Sequence, residues 1–290
     1  MAWNAIEPLK NLIVFDIESI PDTSLAGELC DIDNEKIKTM KQSEIRQEMV
    51  NYHIDNHNNP FLRQPFHRIA CISYLEASIQ YEHNDAIDIS GTGKEYYTFE
   101  KLDTCSSFNS SEEEVVKYFW DLLKTKKPRI VSFNGYNFDM NVLKCKALKY
   151  GIDCSWYFDY GGKWDGYETR GANKANGDLF LENFGQYTLH EMCILLDIPC
   201  KLGVDGSKVA DYFDEKKYND IREYCETDVL ATYLVYLRMV LVKGWIDKAT
   251  YNKSVEDVES HLIKEQDKKK GLKDFLEAWH RLNKNGITLK

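Results

Sequence analysis

The sequence predicts an α/β fold in which helices cover a central sheet. In the first half of the chain, short apolar runs rich in Val, Ile and Phe are typical of buried strands. In the second half, apolar residues recur at the spacing of amphipathic helices. Strands that precede helices favour packing of the helices on the sheet. A hydrophobic content of 43% over 290 residues supports a substantial core.

The first predicted strand covers Asn11–Pro21 and contains Asp16 and Glu18. Apolar residues lead into Asp16, and Pro21 ends the run. Because side chains alternate along a strand, the two acids project from the same face. Neighbouring carboxylates repel each other, so their burial requires a cation or hydrogen-bond donors, and hard divalent metals prefer oxygen ligands. Exposure of both acids on an edge strand is the alternative.

The remaining elements follow from apolar spacing and from turn and capping signals. Ser111 and Glu114 have the spacing of a capping box, and Pro128 ends the helix that they open. Glycines within residues 90–93 predict a turn before the third strand. Further strands are predicted at residues 65–77, 96–100 and 129–135. Helices are predicted at residues 35–50, 111–123, 138–150, 188–196, 207–213, 218–244 and 254–270, followed after Gly271 by an amphipathic segment at 275–279.

We interpret residues 1–244 as one domain and residues 245–290 as a helical C-terminal extension. Residues 22–65 are expected to form an inserted helix and loop. Residues 154–184 are rich in Gly, Asp, Asn and aromatic side chains and show no period, which is typical of a functional loop. Three histidines near the insertion lack the spacing of a metal-ligand signature, and we expect them to be solvated. They are His53, His57 and His67.

The formal net charge of −10 argues against tight phosphate binding, which draws on a basic surface and counterion release. Acids at a metal site would add to this charge while being neutralised by their ions, and local patches matter more than the sum. Residues 261–290 contain eight Lys or Arg and four Asp or Glu, a balance of +4. This segment is either a phosphate-facing surface or a solvated helix face.

Membrane insertion and secretion are not indicated by the sequence. No apolar run reaches the roughly 18 residues that a membrane span needs. The first residues lack a basic region followed by an apolar stretch, so we expect no secretory signal. The eight cysteines are scattered without a C-x-x-C pair, which is typical of core residues in a reducing compartment. We therefore expect a cytoplasmic protein.

A second acidic motif ends the strand at residues 129–135. Asp139 lies in the first turn of the following helix, at the strand edge where open α/β sheets bind ligands. An acid in that turn also complements the helix dipole. Asn134 and Asn137 are also common turn residues. This motif is therefore weak when it is considered alone.

A third motif lies in the helix at residues 218–244. Tyr224 and Asp228 are four residues apart, which places both side chains on one helix face. A Tyr and an Asp occur at this spacing by chance in many helices. An Asp on a partly buried helix face does require a partner, however.

In combination, the three motifs are far more specific. An Asp-x-Glu on the first strand, an Asn-x-x-Phe-Asp after a later strand and a Tyr-x-x-x-Asp on a late helix follow in that order. The sequence thereby resembles the DEDDy class of 3′–5′ exonucleases. More closely, it looks like the bacterial predicted exonucleases that are related to the proofreading domain of family B DNA polymerases. The resemblance covers about residues 12–244 and includes residues 67–69, 201–208, 221–229 and 233–238.

The resemblance implies a ribonuclease H-like fold, with a mixed central sheet flanked by helices. It also implies a metal-dependent enzyme that releases nucleoside 5′-monophosphates from the 3′ end of nucleic acid, with single-stranded DNA favoured over RNA. The family's four metal-binding acids correspond to Asp16, Glu18, Asp139 and Asp228. These would hold two Mg²⁺ or Mn²⁺ ions, which activate water and neutralise the phosphate.

In the same resemblance, Tyr224 would hydrogen-bond the attacking water. Tyr136 and Phe138 are candidates for stacking on the terminal base, and core packing is an equal alternative for Phe138. Asn134 and Asn137 are candidates for binding the terminal sugar or phosphate.

The chain departs from the family at two positions. Ser19 stands where Thr is more common, and Asn176 stands where a histidine usually precedes the Asp-Leu pair. The second departure leaves a supporting role of Asp178 open. A catalytically inactive nucleic-acid-binding or adaptor module on the same fold is the alternative function. A partner polymerase or repair protein is also left open.

Overall fold

The computed structural model describes residues 9–82, 94–162, 164–169, 175–182, 185–200, 206–282 and 288–289. The predicted turn at residues 90–93 lies outside these ranges, as do residues 201–205 of the family resemblance.

Five strands of the described chain form one sheet. They are β1 (Asn11–Pro21), β2 (His67–Tyr81), β3 (Glu95–Ser106), β4 (Arg129–Ser132) and β5 (Asn176–Asp178). The strand order is β3-β2-β1-β4-β5. The first three strands pair antiparallel, whereas β4 pairs parallel with β1 and β5 pairs parallel with β4. The prediction of a mixed sheet in a ribonuclease H-like α/β fold is confirmed.

Helices cover both faces of this sheet. The helices before β4 are α1 (Ala26–Cys30), α2 (Asn34–Thr39), α3 (Gln42–His57) and α4 (Glu112–Lys126). The later helices are α5 (Asp139–Tyr150), α6 (Ser155–Asp159), α7 (Leu179–Glu182), α8 (Leu189–Leu195), α9 (Val209–Asp214), α10 (Tyr218–Val242), α11 (Lys248–Glu265) and α12 (Lys270–Leu282). Short 3-10 turns lie at Thr23–Leu25, Gln64–Phe66 and Gly206–Lys208. None of the described helices is long and apolar enough to cross a membrane.

The strand β1 separates two large cores. Leu12 and Val14 pack on one face with α8, α10, α11 and α12. Ile13, Phe15 and Ile17 pack on the other face with α4, α5 and α6. The side chains of β1 therefore alternate between two helical layers, and the strand is buried on both faces.

The helix α10 is the central element of the first layer. It contacts β1, β2, β3 and β4 and also packs against α8, α11 and α12. Every residue from Val229 to Leu237 is buried. A helix that is surrounded in this way carries apolar residues on all sides rather than on one stripe.

The described part of residues 245–290 contains the helices α11 and α12, as the sequence predicts, and these pack on α10 and β3. Lys269 Nζ lies 2.7 Å from Glu226 Oε1, and the N–H of Gly271 donates to Glu223 Oε2 at 2.5 Å. A Cβ at position 271 would lie only 2.8 Å from the Cβ of Glu223. We expected Gly271 to break the helix; the break instead lies at residues 266–269, and Gly271 lies inside α12, where it allows a close approach to α10.

Several other boundaries differ from the prediction. The strand β3 extends to Ser106 because its polar second half pairs with β2 along a long hairpin. The single helix expected at residues 35–50 is divided into α2 and α3, since Met40 and Lys41 have extended backbone angles. The first helix of the extension begins at Lys248, where the Asp247 side chain accepts from the N–H of Thr250 and caps it.

The prediction that the three histidines are solvated is wrong for two of them. His53 is buried, and its ring packs edge-on against Phe66 with centroids 5.8 Å apart. His67 is also buried, and only His57 of this group is exposed. Burial is possible because the segment between β1 and β2 forms a small core of its own around Ala26 and Met49.

Candidate active site

Asp16 and Glu18 lie on the face of β1 that α10 covers. They continue the alternation of Leu12 and Val14, so their placement follows from the strand period. Asp16 is half-buried and Glu18 is 9% exposed. One carboxylate oxygen from each lies within 4.8 Å of the other and of the Cys225 sulfur, a spacing that could hold a metal ion.

Asp139 reaches the same region from the neighbouring strand. It is the first residue of α5 and is buried. The backbone N–H of Ile17, the residue between Asp16 and Glu18, donates to Asp139 Oδ1 at 3.2 Å. Because β4 runs parallel to β1, its carboxyl end delivers the loop and Asp139 to the carboxyl end of β1.

The helix α10 brings the third motif to the same place. The thiol of Cys225 lies 3.6 Å from Asp16 Oδ2 and 3.5 Å from the Asp16 carbonyl oxygen. Tyr224 and Asp228 are both half-buried on this helix. Burial, followed by the carboxylates of Asp228 and Glu18, raises the pKa of Tyr224 above its ordinary value. The structure thus brings together the side chains of all three sequence motifs.

The acids destabilise one another's charged forms. Burial, with added repulsion from Asp139 and Asp228, raises the pKa of Asp16 well above its usual range. Burial, together with Asp16, does the same to the pKa of Glu18. Burial raises the pKa of Asp139 to about 7, although the N–H of Ile17 acts in the opposite direction. In the folded chain, the ionised forms of these acids are therefore less stable than they are in water.

The loop between β4 and α5 is fixed by its own hydrogen bonds. Asn134 has a positive φ of 68°, a conformation that Asn tolerates. Its Oδ1 accepts from Asn137 Nδ2 at 2.8 Å. A Cβ at Gly135 would lie 2.3 Å from the Ser132 hydroxyl oxygen, so only glycine fits there. Both asparagine side chains thus act in the turn, next to the acids.

Tyr136 and Phe138 follow in the same loop and are half-buried. The Phe138 ring lies 5.0 Å from the His67 ring and meets it edge-on, while the Phe61 ring lies 5.4 Å away. Phe138 therefore packs against two aromatic rings and is also partly exposed to solvent.

Asp178 at the end of β5 has a role that the sequence left open. It is buried, and it accepts backbone N–H groups from Asn134 at 3.0 Å and from Tyr136 at 2.8 Å. It also accepts from Phe180 at 3.0 Å and Leu181 at 3.3 Å, which caps the next helix. One carboxylate thus fixes the loop that precedes Asp139. The sequence signal was an Asp directly before a helical Leu-Phe-Leu run.

His67 is a second residue that sequence reasoning missed. Its Nδ1 lies 2.9 Å from the hydroxyl oxygen of Ser19, and its Nε2 lies 3.0 Å from the Leu62 carbonyl oxygen. Burial lowers the pKa of the His67 imidazole, which favours the neutral ring. His67 therefore connects the segment that precedes β2 to the residue after Glu18.

Residues 59–279 match the family described as a predicted 3′-5′ exonuclease related to the exonuclease domain of PolB. The chain belongs to this exonuclease family. The matched residues include Asp139, Tyr224 and Asp228, and they continue through α11 into α12. Asp16 and Glu18 precede the match, so their assignment depends on their position in the fold.

Among solved structures, the chain is similar to the family B DNA polymerase from the hyperthermophilic archaeon Pyrobaculum calidifontis. The two share 15% identity with a TM-score of 0.44, over 91% of this chain and 30% of the polymerase. The chain thus spans less than a third of that polymerase. A comparison with curated proteins gave no match.

The donor set of this site fits a hard divalent cation. Asp16, Glu18 and Asp139 offer carboxylate oxygens, which such cations prefer. Within the described ranges, no ion pair involves these three acids, and the neighbouring carboxylates act to raise the pKa of both β1 acids. A cation would remove this repulsion and return the acids to their ionised forms.

Proposed function

We propose that this chain is a divalent-metal-dependent 3′–5′ exonuclease that releases nucleoside 5′-monophosphates from nucleic acid, with single-stranded DNA preferred over RNA. The observation that carries the proposal is the convergence of acids from β1, α5 and α10, three segments that are far apart in the sequence. The family match independently supports a nuclease.

Asp16, Glu18, Asp139 and Asp228 would hold two Mg²⁺ or Mn²⁺ ions. When bound, such ions supply charge neutralisation at the phosphate and lower the pKa of a bound water. The task of the chain is to hold the acids in position. The N–H of Ile17 restrains Asp139, and the Cys225 thiol contacts Asp16, so both carboxylates are oriented by their neighbours.

Tyr224 would orient the attacking water rather than remove its proton. A free tyrosine ionises near pH 10, and in the metal-free chain burial and the adjacent acids raise the pKa of the Tyr224 hydroxyl further. A neutral phenol accepts and donates one hydrogen bond, which suits the positioning of water beside the phosphate.

The test uses single-stranded DNA labelled at its 5′ end, with RNA of the same sequence in a parallel reaction. We expect a ladder that shortens from the 3′ end with Mg²⁺ or Mn²⁺ and stops with EDTA. Asp16→Asn should abolish the ladder, whereas Asp121→Asn, a change of an exposed acid on α4, should leave it unchanged. DNA binding without hydrolysis by the unaltered chain would instead support the inactive binding module.

A further inference from the structure

We propose that Phe61, in the segment between β1 and β2, forms with Phe138 the surface on which the 3′-terminal base of the substrate strand stacks. This inference rests on the proposed function and gives a task to a segment whose role the sequence left open. The ligand is a nucleobase of a single strand, recognised through its aromatic face rather than its edge.

Phe61 is exposed although its neighbours are firmly held. Its side chain is 57% exposed, whereas the adjacent Leu62 is 4% exposed and packs in the small core of this segment. The Phe61 N–H donates to Asn59 Oδ1 at 2.9 Å, and the Leu62 carbonyl accepts from His67 Nε2 at 3.0 Å. The backbone therefore presents an aromatic ring to solvent from a fixed position.

The ring is adjacent to the acid-bearing loop. The Phe61 centroid lies 5.4 Å from that of Phe138 and 5.4 Å from that of His67. Phe138 directly precedes Asp139, and Gln64 Nε2 donates to the Asn137 carbonyl at 3.1 Å. The segment thus contacts the loop through both aromatic and polar groups.

The same cluster also contacts β1 at the residue that follows its second acid. The His67 imidazole, which packs against both phenylalanines, contacts the hydroxyl of Ser19 at 2.9 Å. Ser19 follows Glu18 directly. The aromatic cluster thus contacts the residue after Glu18 and includes the residue before Asp139, which is why we place the terminal base on it.

Base stacking would allow this acidic protein to bind nucleic acid without a basic surface. The chain carries a net charge of −10, so general attraction to phosphate is unfavourable. Stacking on an aromatic ring does not depend on charge, and every base has a face that can stack. Arg63, two residues after Phe61, is exposed and adds one cation to this segment.

The experiment measures the binding of 5′-fluorescein single-stranded DNA to the Asp16→Asn variant by anisotropy, and hydrolysis by the otherwise unaltered chain. Phe61→Ala should raise the Kd and the KM by about 5- to 100-fold, the range for loss of one stacked base. Phe61→Trp should restore both. The matched control is Phe158→Ala, which removes a ring that is 55% exposed on α6.

A DNA strand whose 3′-terminal nucleotide lacks its base separates stacking from a merely structural role. The Phe61→Ala variant and the protein that keeps Phe61 should bind this strand with equal Kd. An equal loss on both strands, or no loss on either, would overturn the inference. If the chain fails to hydrolyse DNA but the base-dependent difference in Kd remains, the proposed function fails while the stacking surface stands.

Discussion

Two regions of one sheet bury charged groups in opposite ways. At the start of β4, the buried Arg129 donates to Glu95 Oε2 at 2.7 Å and Oε1 at 2.9 Å, and to the hydroxyls of Tyr97 at 2.9 Å and Tyr236 at 2.8 Å. Burial by itself lowers the pKa of Arg129, but these partners raise it well above its ordinary value. This charge is compensated inside the chain.

At the other end of β1, the acids lack such compensation from the described residues. Asp16, Glu18 and Asp139 repel one another, and no ion pair within the described ranges compensates them. Arg129 pairs in register with Leu12, at the start of β1, so both regions belong to the same strands. The structural charge thus has its partner within the chain, whereas the uncompensated acids are in keeping with the proposed metal site.

The largest expected effect is that of Asp139→Asn on hydrolysis. Asparagine keeps an oxygen to accept the Ile17 N–H but loses the charge that the metal needs. We expect the rate to fall by about 10³-fold or more, since metal ions contribute several kcal/mol to such reactions. The metal-free variant should unfold at the same or a higher temperature than the unaltered chain. A large loss of thermal stability would contradict the view that these acids are uncompensated.

The change Arg129→Met tests the other side of the comparison. It leaves Glu95 buried without its cation, and breaking a buried pair in this way costs about 3–5 kcal/mol. We expect the urea midpoint to fall strongly, whereas Arg281→Met, at an exposed arginine, should have little effect. Adding Glu95→Gln to Arg129→Met should recover part of the loss. No recovery would argue against the pair as the source.

Asp178→Asn should have an intermediate effect. The amide retains one acceptor oxygen, so some of the four backbone N–H groups lose their partner. We expect hydrolysis to fall by about 10- to 100-fold, as for other residues that orient metal ligands. The exposed Asp153 accepts the N–H of Ser155 at 2.9 Å in a similar cap, and Asp153→Asn serves as the control. Equal activity of the two variants would remove Asp178 from the site.

The smallest effect concerns pH and metal. The pKa of Asp139 is about 7 in the folded chain and near 4 when unfolded, so the folded form holds its proton longer. The contribution of Asp139 to the stability of the metal-free protein, measured as the difference from Asp139→Asn, should therefore fall as the pH rises from about 4 to about 7. Added Mn²⁺ should raise the melting temperature by a few degrees at pH 8 and by less at pH 5. A larger rise in melting temperature with Mn²⁺ at pH 5 than at pH 8 would contradict this prediction.

Much of this arrangement could be predicted from local sequence. The alternation in Asn11–Pro21 placed Asp16 and Glu18 on one face, and the four-residue spacing placed Tyr224 and Asp228 on one side of α10. Each of these follows from the geometry of a single element.

Contacts between distant segments could not be predicted in this way. The position of Phe61 against Phe138 depends on the path of the segment between β1 and β2, and the role of Asp178 depends on the pairing of β5 with β4. Gly271 suggested a helix break because glycine disfavours helices. The reason for a glycine there is its close contact with Glu223, which lies in another helix and is not visible in the local sequence. Tertiary packing decides these cases, and no local propensity encodes it.

The most direct measurement is anomalous diffraction from a crystal soaked with Mn²⁺ and a nucleoside 5′-monophosphate. The account predicts two manganese peaks between β1 and α10, with oxygen ligands from Asp16, Glu18, Asp139 and Asp228 and with the phosphate beside them. Well-ordered acids with no manganese between them, at a Mn²⁺ concentration that supports hydrolysis, would contradict it.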